Sequence, residues 1–245
     1  MARNATAVIA LSLLLPAAAF GQEKLTVAPA PSGFKGFVRD VGADYRDFLT
    51  LDNAQLAAVG GVITGVFAGV DDELASATAG PTPMALKPGQ TYGNLAFQFP
   101  LAVTWWIAGH ASGSDRASDA GRDMVRAQIS ALSWTYAIKY AVDRTRPNGD
   151  PRSFPSGHTS ATFATAMVLQ KHYGWKLGVP MFAAATYTAA ERVTNNKHWA
   201  SDVAFGAVIG MLSGRTVTLH LQRAQLGVQA MPLPGGGGVL VHVLH

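Results

Sequence analysis

Three short clusters in this 245-residue chain combine cations, histidines and a carboxylate at spacings suited to work on an anion. The first is Lys139, followed seven residues later by Arg146-Pro147; the second is Pro155-Ser156-Gly157-His158; the third is Arg192, His198 and Asp202. Lys139 falls at the end of an apolar run, where a cation is costly without a partner. Pro147 stops that run, so both cations can project from the end of one element. With Arg192 they would make a three-cation clamp for a tetrahedral oxyanion, and an arginine fork donates paired hydrogen bonds to such a group. The second cluster precedes a helix expected over Thr159 to Leu169, whose first backbone N–H groups point outward and bind anions. Gly157 would let the backbone approach the anion closely, and the Ser156 hydroxyl can add a donor or cap the helix. His198 and Asp202 are four residues apart and share a face if helical. The carboxylate can then fix the imidazole tautomer and leave the opposite ring nitrogen nucleophilic. Taken singly, each cluster has a plainer reading: surface charges near Asp143 and Glu191, an ordinary serine N-cap, a structural His–Asp pair.

The elements that must position these residues are six apolar blocks, Leu56–Val70, Leu95–Ala111, Met124–Val142, Ser160–Leu169, Leu177–Ala190 and Val203–Leu212. Their Ala, Leu and Met content favours helix over strand. A short helix is expected near Val41–Leu49, and Asp71-Asp72-Glu73 closes the first block. Gly80–Gly93, with three prolines, reads as a loop, and Ser112–Asp123 as a turn leading into a helix. The fold class is therefore all-α, a single helical bundle of about six core helices. After four consecutive glycines at 235–238, the alternating stretch Val239–Leu244 reads as one short C-terminal strand or a frayed tail.

Composition narrows the function. With no cysteine, thiolate catalysis, disulfides and cysteine-based zinc sites are excluded. A net charge of +4 without a dense Lys/Arg run interleaved with aromatics argues against a nucleic-acid partner. A chain 49% hydrophobic and 14% charged points to a large helical core or to membrane contact. None of the blocks offers ~20 clean apolar residues, so a buried bundle fits at least as well as a multi-span protein. Arg3, the apolar Ala7–Leu15, Pro16 and Ala17–Ala19 have the layout of a secretory signal peptide. An uncleaved anchor is the alternative.

Taken together, the clusters resemble the type 2 phosphatidic acid phosphatase (PAP2) superfamily, which includes bacterial class A nonspecific acid phosphatases and vanadium haloperoxidases. That family's signature is K-x6-R-P, then P-S-G-H, then S-R-x5-H-x3-D. Lys139 with Arg146-Pro147, Pro155–His158, and Arg192 with His198 and Asp202 match it in order and spacing, within roughly Met124 to Gly214. Two departures stand out: Glu191 occupies the usual serine position before Arg192, and the Pro147–Pro155 gap is short. The resemblance implies a phosphatase of phosphate monoesters, lipid phosphates or isoprenoid pyrophosphates. In it Lys139, Arg146, Ser156, Gly157 and Arg192 hold the phosphoryl oxygens and His198 attacks phosphorus. His158 protonates the leaving group and Asp202 orients His198. No metal or other cofactor is implied, and vanadate would inhibit as a phosphate mimic. A non-catalytic phosphate- or lipid-binding protein and a vanadate-dependent haloperoxidase are the alternatives.

The expected plan is a signal peptide over 1–21, an N-terminal extension over 22–50, the phosphatase domain over 51–222 and a tail over 223–245. The expected location is exported and periplasmic, soluble or membrane-associated, with an integral membrane protein as the alternative.

Overall fold

The structure, a computed structural model, describes residues 33–78, 80–219, 226–233 and 236–243. The signal-peptide segment 1–21 lies outside them. Residues 34–218 form one compact unit. Its helices are α1 (Phe34–Phe48), α2 (Leu51–Ala68), α3 (Asp71–Ala77), α4 (Pro88–Gly93), α5 (Leu95–Ala111), α6 (Asp115–Val142), α7 (Gly157–Tyr173), α8 (Trp175–Thr194) and α9 (Ala200–Val217). The six apolar blocks are α2 and α5 to α9, so the all-α reading holds. Three short helices join them. Asp71, Asp72 and Glu73 do not close α2; they fill the first turn of α3, where the N-terminal dipole favours negative charge. The Gly80–Gly93 segment is not all loop: a single 3-10 turn at Met84–Leu86 leads to α4, with Pro88 in its first turn. α6 takes in the expected turn as well, starting at Ser114, whose hydroxyl accepts from Ala117 N–H.

α7 lies innermost, against α6, α8 and α9. Small side chains allow this: Ala127, Ala131, Ala164 and Val168 are buried together with Met124 and Leu169. α9 packs on α7 along Gly206, Gly210 and Gly214, spaced four apart on one face. A Cβ on Gly206 would come within 2.6 Å of the Ser156 carbonyl oxygen, and one on Gly210 within 2.3 Å of that of Ser160. This close approach brings the start of α9, with His198 and Asp202, beside the start of α7. Backbone cannot yield as a flexible side chain can. Gly210→Ala should therefore destabilise by about 2–3 kcal/mol, an overpacking penalty. In a unit of this size that lowers Tm by roughly 5–10 °C. Gly42, where an added Cβ would meet nothing within 4 Å, is the control: Gly42→Ala should leave Tm unchanged or raised in thermal unfolding followed by circular dichroism.

At the end of the bundle away from the clusters, buried Arg126 donates to Asp44 at 2.8 Å and to Asp123 at 2.9 Å, and His172 Nε2 lies 2.9 Å from Asp123. These bonds tie α1 to α6 and α7 within the same unit. α2 is different: it is apolar all round, and Leu56, Val59, Val62, Ile63 and Val66 are exposed. Among the described residues it is the one helix long and apolar enough to cross a membrane.

The C-terminal residues form two strands where one was expected. β1 (Leu226–Leu233) and β2 (Gly236–Val243) pair antiparallel, Leu226 opposite Val243 and Leu233 opposite Gly236. A lone strand would leave its backbone donors and acceptors without a ladder. Gly227 and Pro232, residues depleted in strands, obscured the first strand in the sequence.

Candidate active site

The site is built from helix ends. α6 delivers Lys139 in its last turn, the loop 143–156 carries Arg146, α7 begins at Gly157-His158, α8 ends with Arg192, and His198 with Asp202 flank the start of α9. Asp143 ends α6 in the left-handed conformation at φ 46°, turning the chain toward the loop. The loop is pinned by Ser153 N–H donating to Arg144 O at 2.6 Å and Arg146 N–H to Asp150 O at 2.8 Å.

Lys139 is buried, and its ammonium donates to the carbonyls of Arg152 at 2.6 Å and Ser153 at 3.3 Å. Two of its three protons are thus committed to holding the loop, and one is left for a ligand. Burial, with Arg146 nearby, pushes its pKa down to about 8. Ser156 caps α7: its hydroxyl oxygen accepts from the Thr159 hydroxyl at 3.0 Å, and its own N–H donates to Asp202 O at 3.0 Å. The Ser156 hydroxyl proton remains available. A Cβ on Gly157 would meet only Thr135 Cγ2, at 3.7 Å, so packing alone does not demand glycine there.

Glu191, which departs from the expected serine, is buried. It accepts from Arg192 Nη1 at 3.2 Å and from Asn195 Nδ2 at 2.8 Å. Its charge is thereby matched by a cation. Arg192 is also buried, and its Nε has no partner.

Asp202 is fully buried and is held from three sides. Trp199 N–H donates to Oδ2 at 2.9 Å, the Ser153 hydroxyl donates to the same oxygen, and Arg144 Nη1 donates to Oδ1 at 2.8 Å. Burial works to raise this carboxyl's pKa; His198, Ser153 and the Trp199 N–H outweigh it and hold it below the ordinary value. His198 Nδ1 stands 3.5 Å from Oδ2, an ion-pair distance too long for a good hydrogen bond. Such contacts tighten when a ligand is bound. Burial pushes the His198 imidazole down to about 4, against the pull of Asp202. His158 is pushed down to about 3, by burial first and then by Arg192, His198, Arg146 and Lys139. Both histidines are therefore neutral near pH 7, inside a ring of cations.

All eight residues singled out in the sequence thus gather at one end of the bundle. Four others in the same neighbourhood were missed. Arg144 bridges Asp202 and Asp71, donating to the latter at 2.9 Å, and Asp71 in turn accepts the Ser201 N–H at 3.0 Å. Ser153 anchors Asp202, and Gly93 lies against His158: a Cβ there would come within 3.0 Å of His158 Cβ. The signal for Arg144 was present in Asp-Arg-Thr-Arg-Pro, two residues before Arg146. Asp71 carried none, because its partners lie far along the chain.

Comparison with known proteins falls on the same region. Residues 123–225, which hold all three clusters, match the model of the PAP2 superfamily. The chain is 43% identical over 82 residues to a lipid A 1-phosphatase of Porphyromonas gingivalis, covering 32% of this chain and 18% of that protein. It is 36% identical over 58 residues to a lipid A 4'-phosphatase of Helicobacter pylori, covering 24% of this chain and 29% of the relative. The chain thus spans less than a third of the length of these curated relatives. The fold is that of a transmembrane PAP2-type phosphatidylglycerolphosphate phosphatase from Bacillus subtilis, with TM-score 0.58, 20% identity, and coverage of 74% of this chain and 96% of that one. The family whose model matches residues 123–225 is the one that the three motifs resemble.

Proposed function

We infer that this chain is a membrane-associated phosphatase that hydrolyses lipid phosphate monoesters through a phosphohistidine on His198, without a metal. The observation that carries the reading is a buried, neutral His198 beside an anchored carboxylate, facing a clamp of Lys139, Arg146 and Arg192 at the N-terminus of α7. In the first step the free ring nitrogen of His198 attacks phosphorus. The P–N bond forms as the P–O bond to the leaving group breaks, and the alcohol departs with a proton from His158. His158 then takes a proton from water, the water oxygen attacks phosphorus, the P–N bond breaks and inorganic phosphate leaves. The three cations and the α7 N–H groups stabilise the charge on the transferring group, which is where catalysis of phosphoryl transfer is concentrated. Glu191, at the usual serine position, accepts from Arg192 and Asn195, so its charge is matched within the protein and does not stand bare in the clamp.

A lipid substrate fits the exterior of the bundle. Phe97, Phe99 and Ile107 of α5 and Trp175 and Val179 of α8 are exposed, as is the apolar surface of α2. Exposed apolar faces of this extent mark contact with lipid or protein. The lipid phosphatases among the relatives point to lipid. Export to the periplasm follows from the segment 1–21 and remains part of the same proposal.

The protonation states give this reading a sharp test. With His158 near 3, the proton needed by the leaving group arrives on the substrate, whose second phosphate ionisation lies at about 6. Binding the anion offsets the clamp and lets His158 take that proton over. His198 loses its lone pair as pH falls through about 4. In detergent with EDTA present, phosphatidate should be turned over, with vanadate competing. kcat/KM should be flat between about pH 4 and 6 and fall tenfold per unit above about 6. A substrate with its second ionisation one unit lower should carry the alkaline limb down by one unit. A limb that stays fixed would assign it to the protein instead, and loss of activity in EDTA would overturn metal independence.

A further inference from the structure

Beside His158 a cavity of about 140 Å³ runs between α5, α6 and α7, its lining including Leu95, Gln128, Leu132, Tyr136 and Ala161. Leu95, Leu132, Ala161 and the Tyr136 ring give it apolar surface against which the hydrocarbon of a leaving group can lie. Asn94, Ser160 and Gln128 add polar groups to the lining; of these Gln128 is 1% exposed, and its buried Oε1 has no hydrogen-bond partner.

The orientation of that amide is fixed by a chain of hydrogen bonds with one consistent direction. Gln98 Nε2 donates to Tyr92 O at 2.7 Å, so Gln98 Oε1 must accept; it accepts from the Thr165 hydroxyl at 2.7 Å. Thr165 has thereby spent its proton, and its oxygen accepts from Gln128 Nε2 at 2.9 Å. The same Nε2 donates to Ala161 O at 2.9 Å. A carbonyl can only accept, so turning the amide over would set two oxygens against each other and break both bonds. Gln98, Thr165 and Gln128 are all buried, so water does not compete for these bonds. The network therefore leaves the Gln128 carbonyl oxygen, never its NH2, as the buried lining atom without a hydrogen-bond partner. A buried acceptor left without a donor is costly.

We propose that this cavity is the leaving-group subsite and that Gln128 Oε1 accepts a hydrogen bond from a hydroxyl or amide N–H on the alcohol being released. The proposal rests on the phosphatase reading and adds a specificity-determining residue to it. Ala161 lies three residues beyond His158 on α7, a rise of about 4.5 Å. The donor it selects is therefore a few bonds from the ester oxygen. Amino-alcohol and acylated amino-sugar phosphates have such donors; diacylglycerol phosphate has none.

The test compares kcat/KM in detergent for ceramide 1-phosphate, a long-chain N-acylglucosamine 1-phosphate and phosphatidate, in the wild type and in Gln128→Met. The wild type should prefer a donor-bearing substrate over phosphatidate by roughly tenfold, and that ratio should collapse toward one in the variant. Whichever donor-bearing substrate loses more identifies the leaving group as amino-alcohol or amino-sugar. A wild-type ratio near one for both overturns the proposal, as does a ratio that Gln128→Met leaves in place. Should the variant not fold, as judged by its melting curve, a matched ceramide 1-phosphate with its amide N-methylated and its hydroxyl removed takes its place: equal turnover of the two in the wild type overturns the proposal. Absence of phosphate release from every substrate in the wild type would instead sink the phosphatase reading beneath it.

Discussion

His198→Ala should reduce kcat by at least about 10⁴-fold while leaving a folded protein that still binds vanadate. The nucleophile and the clamp are held independently. His198 Nδ1 has no hydrogen-bond partner, and Asp202 is held by Arg144, Ser153 and the Trp199 N–H rather than by the imidazole. Removing the ring therefore does not unmoor the carboxylate. The cations and the start of α7 stay in place, and they alone can stabilise attack by water only weakly, as residual activity in nucleophile-deleted hydrolases illustrates. Phosphate release from phosphatidate and vanadate binding by calorimetry, measured side by side, check this. Turnover near the wild-type rate would remove His198 from the chemistry. Loss of vanadate binding together with turnover would show that the substitution had damaged the clamp and not only the nucleophile.

How much of this arrangement could be read from the chain depends on distance in sequence. The eight motif residues were legible because each cluster is local and sits at a helix end, where proline, serine and glycine mark the boundary. The six long helices were legible from their Ala- and Leu-rich runs. Arg144, Asp71, Ser153 and Gln128 were not, because their roles arise only when distant segments meet. Asp71 and Arg144 are 73 residues apart, and Gln128 and Thr165 are 37 apart. The glycines of α9 look like weak helix positions by propensity, yet they set the distance between the two halves of the site. The membrane question was half legible: composition gave the excess of apolar residues, but only the packing reveals that α2 keeps its apolar surface outside the core.

Arg144 should matter almost as much as the motif residues, and its loss should be visible in two ways. Its guanidinium is a third exposed, whereas the carboxylates it joins, Asp71 and Asp202, are nearly or fully buried. Taking one partner from a fully buried pair costs about 3–5 kcal/mol. Solvent reaches this guanidinium, so a loss of about 2 kcal/mol is expected for Arg144→Ala, read as a lower Tm. Activity should fall roughly 100-fold as well, because Asp202 would lose the contact that fixes Oδ1 and Asp71, still bonded to Ser201, would lose the link that ties it to Asp202. Lysine should rescue little: a point charge cannot donate to two carboxylates and to Ser201 from one planar group. A purely structural role would be repaired by removing the stranded charge. Arg144→Ala combined with Asp71→Asn should recover part of the stability but none of the activity. The pH profile should also move. With a cation gone from beside Asp202, His198 is easier to protonate, so the acid limb should rise above its position near pH 4 while the alkaline limb, set by the substrate, stays put. An unchanged acid limb, or a double variant that regains turnover with its stability, would confine Arg144 to the fold.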